Sequence, residues 1–339
     1  MNSKGVIPRE VAESPCSTDE IRAAAERLRD VAVYTPLLNS PALDARLDAR
    51  VFVKAENLQR IGAFKFRGAY NFLSRLSPAK RGRGVVAYSS GNHAQGVAYA
   101  AHLLGIAATI VMPEDAPKVK LEGARRWGAA IRPYDRKTES REAIAQELAS
   151  ATGATLVRPF DDPDIIAGQG TVGLELAAQL EEAGHSADLL LVPCGGGGLL
   201  AGVSTAMREL SPETRIFGVE PENYDDHRRS LKAGRRVRIK GDSFTRCDAL
   251  AATIPGEITW SVNRRNVNGF ITVSEAEVGT AIGFAARHLK TVLEPGGAVA
   301  LAAILHEKLP ARGKTIAIVA SGGNIDNALF TACLRDYSS

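Results

Sequence analysis

The chain has 339 residues, 45% hydrophobic and 24% charged, with a net charge of +4. This is the composition of a globular protein long enough for two lobes with separate cores. The slight charge suits an anionic small molecule and supplies no argument for a nucleic-acid partner. Four cysteines (Cys16, Cys194, Cys247 and Cys333) stand far apart, with no CxxC pair and no histidine spacing that suggests zinc. They read as reduced thiols in a cytoplasmic protein. Residues 1–19 lack the apolar stretch of a signal peptide. The most apolar run, residues 189–203, is shorter than the ~20 residues of a membrane helix. It is also broken by Pro193 and the four consecutive glycines 195–198, so no membrane partner is expected.

Residues 1–18, with prolines, serines and mixed charge, read as a loose arm. Ser17 and Thr18 before Asp19 and Glu20 mark a helix start leading into residues 21–31. Tyr34-Thr35-Pro36-Leu37 is extended, because a residue before proline is biased away from helix. Residues 51–56 form a short buried strand that delivers the chain to Lys65. Ala69, Tyr70, Phe72, Leu73 and Leu76 have helical spacing and place Lys65 at a helix start. From Gly84 the pattern becomes repeated strand and helix. Strands are expected over 84–88, 108–112, 130–134 and 155–157, with helices over 93–104, 118–127 and 140–152, which makes a small parallel α/β lobe. A second series has strands over 188–193, 215–219, 269–273 and 315–320, with helices such as 199–209 and 276–289. No Gly/Ser/Pro linker, low-complexity segment or repeat separates the two series, so the small lobe is expected to be inserted into the large one. Residues 231–246 carry six basic residues with little aromatic interleaving and read as solvated surface.

Lys65 lies between Phe64 and Phe66. Flanking aromatic surface desolvates an ammonium and favours the neutral amine, a nucleophile able to form a Schiff base with an aldehyde cofactor such as pyridoxal phosphate. A lysine that snorkels past apolar neighbours has the same local sequence. Cys194-Gly195-Gly196-Gly197-Gly198-Leu199-Leu200 sits where an apolar strand gives way to a helix, where backbone N–H groups can close on a phosphate. The same glycines, with Ala201 and with Glu220 ending the next strand, also pass as a dinucleotide fingerprint. Tyr88-Ser89-Ser90-Gly91-Asn92-His93 lies at a strand-to-helix junction in the other lobe, an anion site suited to a carboxylate. Helix capping accounts for part of it, and His93 reads equally as a structural histidine. Ser321-Gly322-Gly323-Asn324 follows the last strand, where a hydroxyl can meet a ring nitrogen or simply make a turn.

Ala63-Phe64-Lys65-Phe66-Arg67-Gly68-Ala69, Ser89-Ser90-Gly91-Asn92-His93, the four glycines with Leu199, and Ser321-Gly322-Gly323-Asn324 occur in the order seen in one known family. The chain resembles pyridoxal-phosphate enzymes of the tryptophan-synthase β fold (fold type II), in the threonine/serine dehydratase and serine racemase branch. The resemblance covers nearly all of residues 21–334 and includes Ile166-Ala167-Gly168-Gln169-Gly170-Thr171 and Leu293-Glu294-Pro295. It implies an α/β fold of two parallel-sheet lobes, the small one inserted into the large one, with the cofactor in the cleft between them. The expected division is an arm over 1–20, a large cofactor-binding domain from 21–83 and 162–339, and a small substrate-carboxylate domain over 84–161.

The resemblance also implies roles. Lys65 forms the Schiff base with pyridoxal 5′-phosphate, and Phe64 packs beside the ring. Asn92 bonds the ring hydroxyl, Gly195, Gly196, Gly197, Gly198 and Leu199 hold the phosphate, Glu294 borders the cofactor and Ser321 meets the pyridine nitrogen. Ser89, Ser90, Gly91, Asn92 and His93 receive the substrate carboxylate. Glu220, the main-chain carbonyl of Tyr224 and Asp226 resemble the family's divalent-cation site. Their hard oxygens suit Mg²⁺ or Ca²⁺, and an acidic surface loop is the competing reading. Cys247-Asp248-Ala249 stands where many relatives carry Ala-Asp-Gly and is expected to border the substrate side chain. No match to the C-terminal regulatory domain of biosynthetic threonine dehydratases follows Asn324, so no isoleucine feedback is expected.

The implied activity is β-elimination from a β-hydroxy-α-amino acid, L-threonine or L-serine first, giving a 2-oxo acid and ammonia. The amine of Lys65 would remove the Cα proton, and Ser321 would leave the ring a weaker electron sink than an aspartate does. The alternatives are a racemase with Ser90 as the opposite-face base, a 3-hydroxyaspartate or phenylserine ammonia-lyase, and a non-catalytic protein that retains the cofactor. Arg141 would serve the hydroxyaspartate reading by meeting a second carboxylate, against a plain surface-helix role. The expected partners are a small amino-acid substrate and further copies of the chain, as a homodimer or higher homo-oligomer.

Overall fold

A computed structural model describes residues 16–89, 91–116 and 118–337, leaving aside the side chains of 118–120. Most of the proposed arm and Ser90 lie outside the described residues. Ten strands form two sheets: β1 (Leu37–Asn39), β2 (Arg50–Lys54), β3 (Val85–Tyr88), β4 (Ala108–Pro113), β5 (Ala130–Tyr134), β6 (Thr155–Val157), β7 (Leu189–Pro193), β8 (Arg215–Pro221), β9 (Gly269–Val273) and β10 (Thr315–Val319). The six-stranded sheet runs β1-β2-β10-β7-β8-β9 and the four-stranded sheet β5-β4-β3-β6. All pairs are parallel except β1 with β2. This edge is the one departure from the expected parallel sheets. Leu37–Asn39 has too short a pattern to announce a strand, and its pairing is supplied by the free edge of β2.

Strands buried on both faces read as continuous apolar runs, and β7 is buried throughout. One face of the large sheet packs on the wholly buried helix Pro295–Leu305, the other on the helix Gly198–Leu210. Ser17 caps the first helix, Thr18–Leu28, in a capping box with Glu20.

A long helix, Pro163–Glu182, carries Gly168, Gly170 and Gly173, residues that weaken a helix pattern. The structure explains them by close approach. A Cβ on Gly168 would lie 2.6 Å from the Arg67 carbonyl, and one on Gly202 of the neighbouring helix 2.4 Å from the Ile166 carbonyl. This helix therefore locks the helix Lys65–Ser74 and the helix Gly198–Leu210 against itself, fixing the spacing between two of the expected site segments. Where the first of these helices meets β2, Arg67, Glu56 and Lys54 are fully buried; Arg67 pairs with Glu56, and Arg67 and Lys54 share Glu175 from the long helix.

Candidate active site

The ends of β3, β7 and β10 each deliver one of the motifs, at the carboxyl edge where parallel sheets leave a crevice. Lys65 is the first residue of its helix, with Phe64 at the N-cap. The Lys65 amine donates to the Pro159 carbonyl at 2.6 Å and stands 5.3 Å from the centre of the Phe64 ring. Burial pushes that amine down to about 8, which puts a usable fraction in the neutral, nucleophilic form near neutral pH.

The chain around Lys65 is tied to the C-terminal motif by backbone. Ala63 bridges Gly322, the Phe64 N–H donates to the Ser321 carbonyl at 3.1 Å, and the Gly323 N–H donates to the Gly62 carbonyl at 2.9 Å. Asn324 donates through Nδ2 to the Ile61 carbonyl and to Asn92 Oδ1, each at 2.8 Å. Ile61 has φ 60°, a conformation that costs a β-branched residue energy and that these contacts hold in place. Asn92 Nδ2 in turn donates to Glu294 Oε1 at 2.6 Å, and the Glu294 N–H donates to the Gly322 carbonyl at 3.0 Å. Ser321 is buried, and among the described residues its hydroxyl makes only a long 3.5 Å contact with the Gly296 carbonyl.

The four glycines leave no room for side chains. A Cβ would lie 2.9 Å from Leu250 Cα at Gly195, 2.3 Å from the Phe160 ring at Gly196, 2.6 Å from His227 Nε2 at Gly197 and 2.7 Å from Gln169 Oε1 at Gly198. Gly197 also has φ +91°. The cup opens directly into the N-terminus of the helix Gly198–Leu210, so backbone N–H groups and the positive end of the helix dipole face one spot. Beside it both amide atoms of buried Gln169 lack a hydrogen-bond partner among the described residues. A glycine cup, unpaired buried amide atoms and a desolvated lysine together fit a phosphorylated aldehyde. Gly196→Ala should weaken pyridoxal phosphate binding about 10- to 100-fold through overpacking against Phe160. Titration of the apoprotein measures this, and unchanged affinity would contradict the cup.

At the end of β3, Ser89 Oγ accepts from the Gly91 N–H at 3.1 Å. His93 is buried, its ring is pushed down to about 3 by burial and then by the charge of Lys65, and Nε2 lies 3.1 Å from the Val157 carbonyl. A carbonyl only accepts, so Nε2 carries the proton and the ring is a neutral structural anchor. This leaves His93 its main-chain N–H for an anion. Arg141 opens the helix Arg141–Thr152 and lies over the Tyr88 ring at 5.9 Å, one residue from Ser89.

Glu220, near the end of β8, and Asp226, at the start of the helix Asp226–Ala233, are both fully buried and so are not on an acidic surface loop. Burial and then the Asp226 charge push Glu220 well up; burial and then Asp225 push Asp226 to about 8. The Tyr224 phenol points elsewhere, donating to the Gly241 and Ser243 carbonyls. Sequence reasoning missed Pro159, Phe160 and His227 as site neighbours, because each meets the site only through tertiary approach. A single aromatic before the long helix carries no local signal.

The model of the pyridoxal-phosphate dependent enzyme family matches residues 28–322. An L-threo-3-hydroxyaspartate ammonia-lyase from Pseudomonas sp is 46% identical over 94% of this chain and 98% of its own. A serine racemase from Schizosaccharomyces pombe is 41% identical over 91% of this chain and 94% of its own. The crystal structure of a T.th. threonine deaminase superposes with a TM-score of 0.85 at 46% identity, covering 91% of this chain and 99% of that one. These matches leave the dinucleotide reading of the glycines without support. With the two-lobed α/β architecture and a match over most of its length, the chain belongs to the pyridoxal-phosphate dependent enzyme family.

Proposed function

We propose that the chain is a pyridoxal-phosphate dependent lyase that eliminates the β-hydroxyl of a β-hydroxy-α-amino acid, and that 3-hydroxyaspartate takes precedence over L-threonine and L-serine as substrate. The observation that carries the substrate is Arg141. Its Nε donates to Glu142 Oε1 at 2.8 Å, neither Nη group has a hydrogen-bond partner among the described residues, and its guanidinium lies over the Tyr88 ring beside Ser89. A dicarboxylate whose α-carboxylate meets the turn after β3 would extend its second carboxylate toward that fork. The name of the ammonia-lyase from Pseudomonas sp points in the same direction.

Bound pyridoxal phosphate supplies the electron sink that makes the Cα proton removable and the β-hydroxyl expellable. The chain's residues do the rest. Gly195, Gly196, Gly197, Gly198 and Leu199 hold the phosphate by main-chain N–H groups, and Phe64 packs beside the ring. Asn92, positioned by Glu294 and Asn324, meets the ring hydroxyl, and Ser321 Oγ meets the ring nitrogen. Ser89, Gly91, Asn92, the His93 amide and Ser90, which lies outside the described residues, orient the α-carboxylate. The Lys65 amine takes the Cα proton. The hydroxyl leaves with a proton as water, and the released enamine hydrolyses to a 2-oxo acid and ammonia. The reading keeps residues 84–161 as the substrate-carboxylate domain and residues 21–83 with 162–339 as the cofactor domain. It also keeps a cytoplasmic location, supported by four buried cysteines that form no disulfide. A homodimer or higher homo-oligomer enters on the resemblance alone. No helix among the described residues is long and apolar enough to cross a membrane.

Arg141→Met tests the substrate. It should lower kcat/KM for L-threo-3-hydroxyaspartate about 10- to 100-fold, the worth of a charge-assisted contact, while leaving L-serine and L-threonine within about threefold. An equal loss on all three substrates would sink the second-carboxylate role.

A further inference from the structure

Three buried side chains, Cys194, Glu220 and His227, converge beneath the glycine cup, and a fourth, Asp226, stands beside His227. Cys194 precedes Gly195, Glu220 lies near the end of β8, and Asp226 and His227 begin the following helix; all are fully buried. Cys194 Sγ, a Glu220 oxygen and a His227 ring nitrogen lie within 4.8 Å of one another. His227 Nδ1 stands 3.9 Å from Glu220 Oε1 and 3.7 Å from Asp226 Oδ2. Among the described residues both Asp226 oxygens and His227 Nδ1 lack a hydrogen-bond partner. Glu220 is held in orientation by the main-chain N–H groups of His227 and Arg228, at 2.8 and 2.9 Å. Among the described residues no lysine or arginine pairs with Glu220 or Asp226; Arg228 and Arg229 are turned to Asp225. Buried polar groups without partners cost stability, and a cation removes that cost.

We propose that Cys194, Glu220, Asp226 and His227 bind Zn²⁺, so that this chain's cation site selects a thiolate- and imidazole-binding ion over Mg²⁺ or Ca²⁺. The inference rests on the reading of Glu220 and Asp226 as cation ligands and adds the donors that choose the ion. Mg²⁺ and Ca²⁺ call for oxygen ligands throughout. One sulfur, one imidazole nitrogen and two carboxylates make the four-coordinate mixed set that zinc accepts. Zinc–ligand lengths of about 2.0–2.3 Å put ligand atoms roughly 3.3–3.7 Å apart around a tetrahedron, close to the separations at Nδ1. Binding releases the Cys194 thiol proton, and the Glu220 and Asp226 protons where they are present, to solvent. The imidazole binds neutral through Nδ1 and keeps its proton on Nε2. Nε2 lies 3.4 Å from the Asn263 amide nitrogen, and Asn263 Oδ1 is unpaired. A half-turn of that amide presents Oδ1 to the proton at the cost of the 3.2 Å bond that Asn263 Nδ2 donates to the Gly197 carbonyl. The sequence offers Glu220 and Asp226 as cation ligands but not the sulfur and nitrogen donors, because Cys194 and His227 stand in no zinc-like spacing.

The test uses the holoenzyme freed of metal with a chelator and titrated separately with Zn²⁺, Mg²⁺ and Co²⁺. The expected result is one tightly held Zn²⁺ per chain that excess Mg²⁺ does not displace. Co²⁺ should give tetrahedral d–d absorption and a thiolate charge-transfer band, the latter lost in Cys194→Ser. Zn²⁺ affinity should fall at least about 100-fold in His227→Asn. The Co²⁺ spectrum of the unaltered protein stands even if a variant folds poorly. Mg²⁺ bound as tightly as Zn²⁺, or Zn²⁺ affinity unchanged in both variants, would overturn the proposal and leave the two carboxylates as an oxygen-only site. No binding of any of the three ions would overturn both readings.

Discussion

Lys65→Ala should reduce 2-oxo acid formation by at least about 10³-fold, the scale on which a positioned proton-transfer group acts. It should also abolish covalent attachment of pyridoxal phosphate while leaving the fold intact. The geometry separates these effects. Lys65 is at the start of its helix, and its amine makes one hydrogen bond, to the Pro159 carbonyl, with no ion pair among the described residues. Truncation therefore removes the nucleophile and little structure. The Gly62–Gly323 and Phe64–Ser321 main-chain bonds that shape the site remain, as does the glycine cup. Non-covalent cofactor binding through the phosphate should persist. Because burial holds the amine down to about 8, the rate at which the apoprotein captures pyridoxal phosphate should rise as pH increases through that value. Borohydride reduction followed by peptide mass analysis, read beside a thermal melt, checks the claim. A variant that retains the covalent adduct at another residue would refute the assignment of Lys65.

Glu56→Ala should destabilise the protein by about 3–5 kcal/mol, the cost of stranding a buried charge. Glu56 accepts from Arg67 Nε and Nη2, each at 2.8 Å, while Arg67 also reaches Glu175 Oε1 at 2.6 Å. Lys54 donates to Glu175 Oε2 at 2.6 Å. Removing Glu56 leaves two buried cations sharing Glu175. Burial alone would push the Glu56 carboxyl up; the Arg67 guanidinium, its hydrogen bonds and Lys54 outweigh that and hold it below 4.5. The sign follows from the lowered folded value. The contribution is present at neutral pH and is lost as pH falls below the unfolded carboxyl's range and through the folded one. Denaturant melts of the two proteins should therefore differ widely at pH 7 and converge in acid. A difference under about 1 kcal/mol at pH 7 would contradict the network's role. The consequence for function is positional, since Arg67 lies two residues after Lys65 on the same helix.

The four motifs were legible because each is a local pattern, a strand end followed by glycines or hydroxyls at a helix start, and the alternation of strand and helix placed nine of the ten strands in sequence. What escaped depends on approach between distant segments. The long helix Pro163–Glu182 hides behind glycines whose purpose is to admit Arg67, Gly68 and the helix Gly198–Leu210. His93 read equally as a substrate ligand and as a structural histidine, and the fold decides for the ring by turning it to Val157. Arg141 read as a surface arginine until β3 brought Tyr88 beneath it. Cys194 and His227 are 33 positions apart in the chain and meet only because the helix Asp226–Ala233 folds back under the glycine cup.

The most direct measurement follows L-threo-3-hydroxyaspartate incubated with the holoenzyme, assaying 2-oxo acid, ammonia and the stereochemistry of the remaining amino acid together. The account predicts oxaloacetate and ammonia in equal amounts, formed faster than product from L-threonine or L-serine. Epimerised substrate without 2-oxo acid, or no turnover of any of the three with the cofactor bound to Lys65, would contradict it.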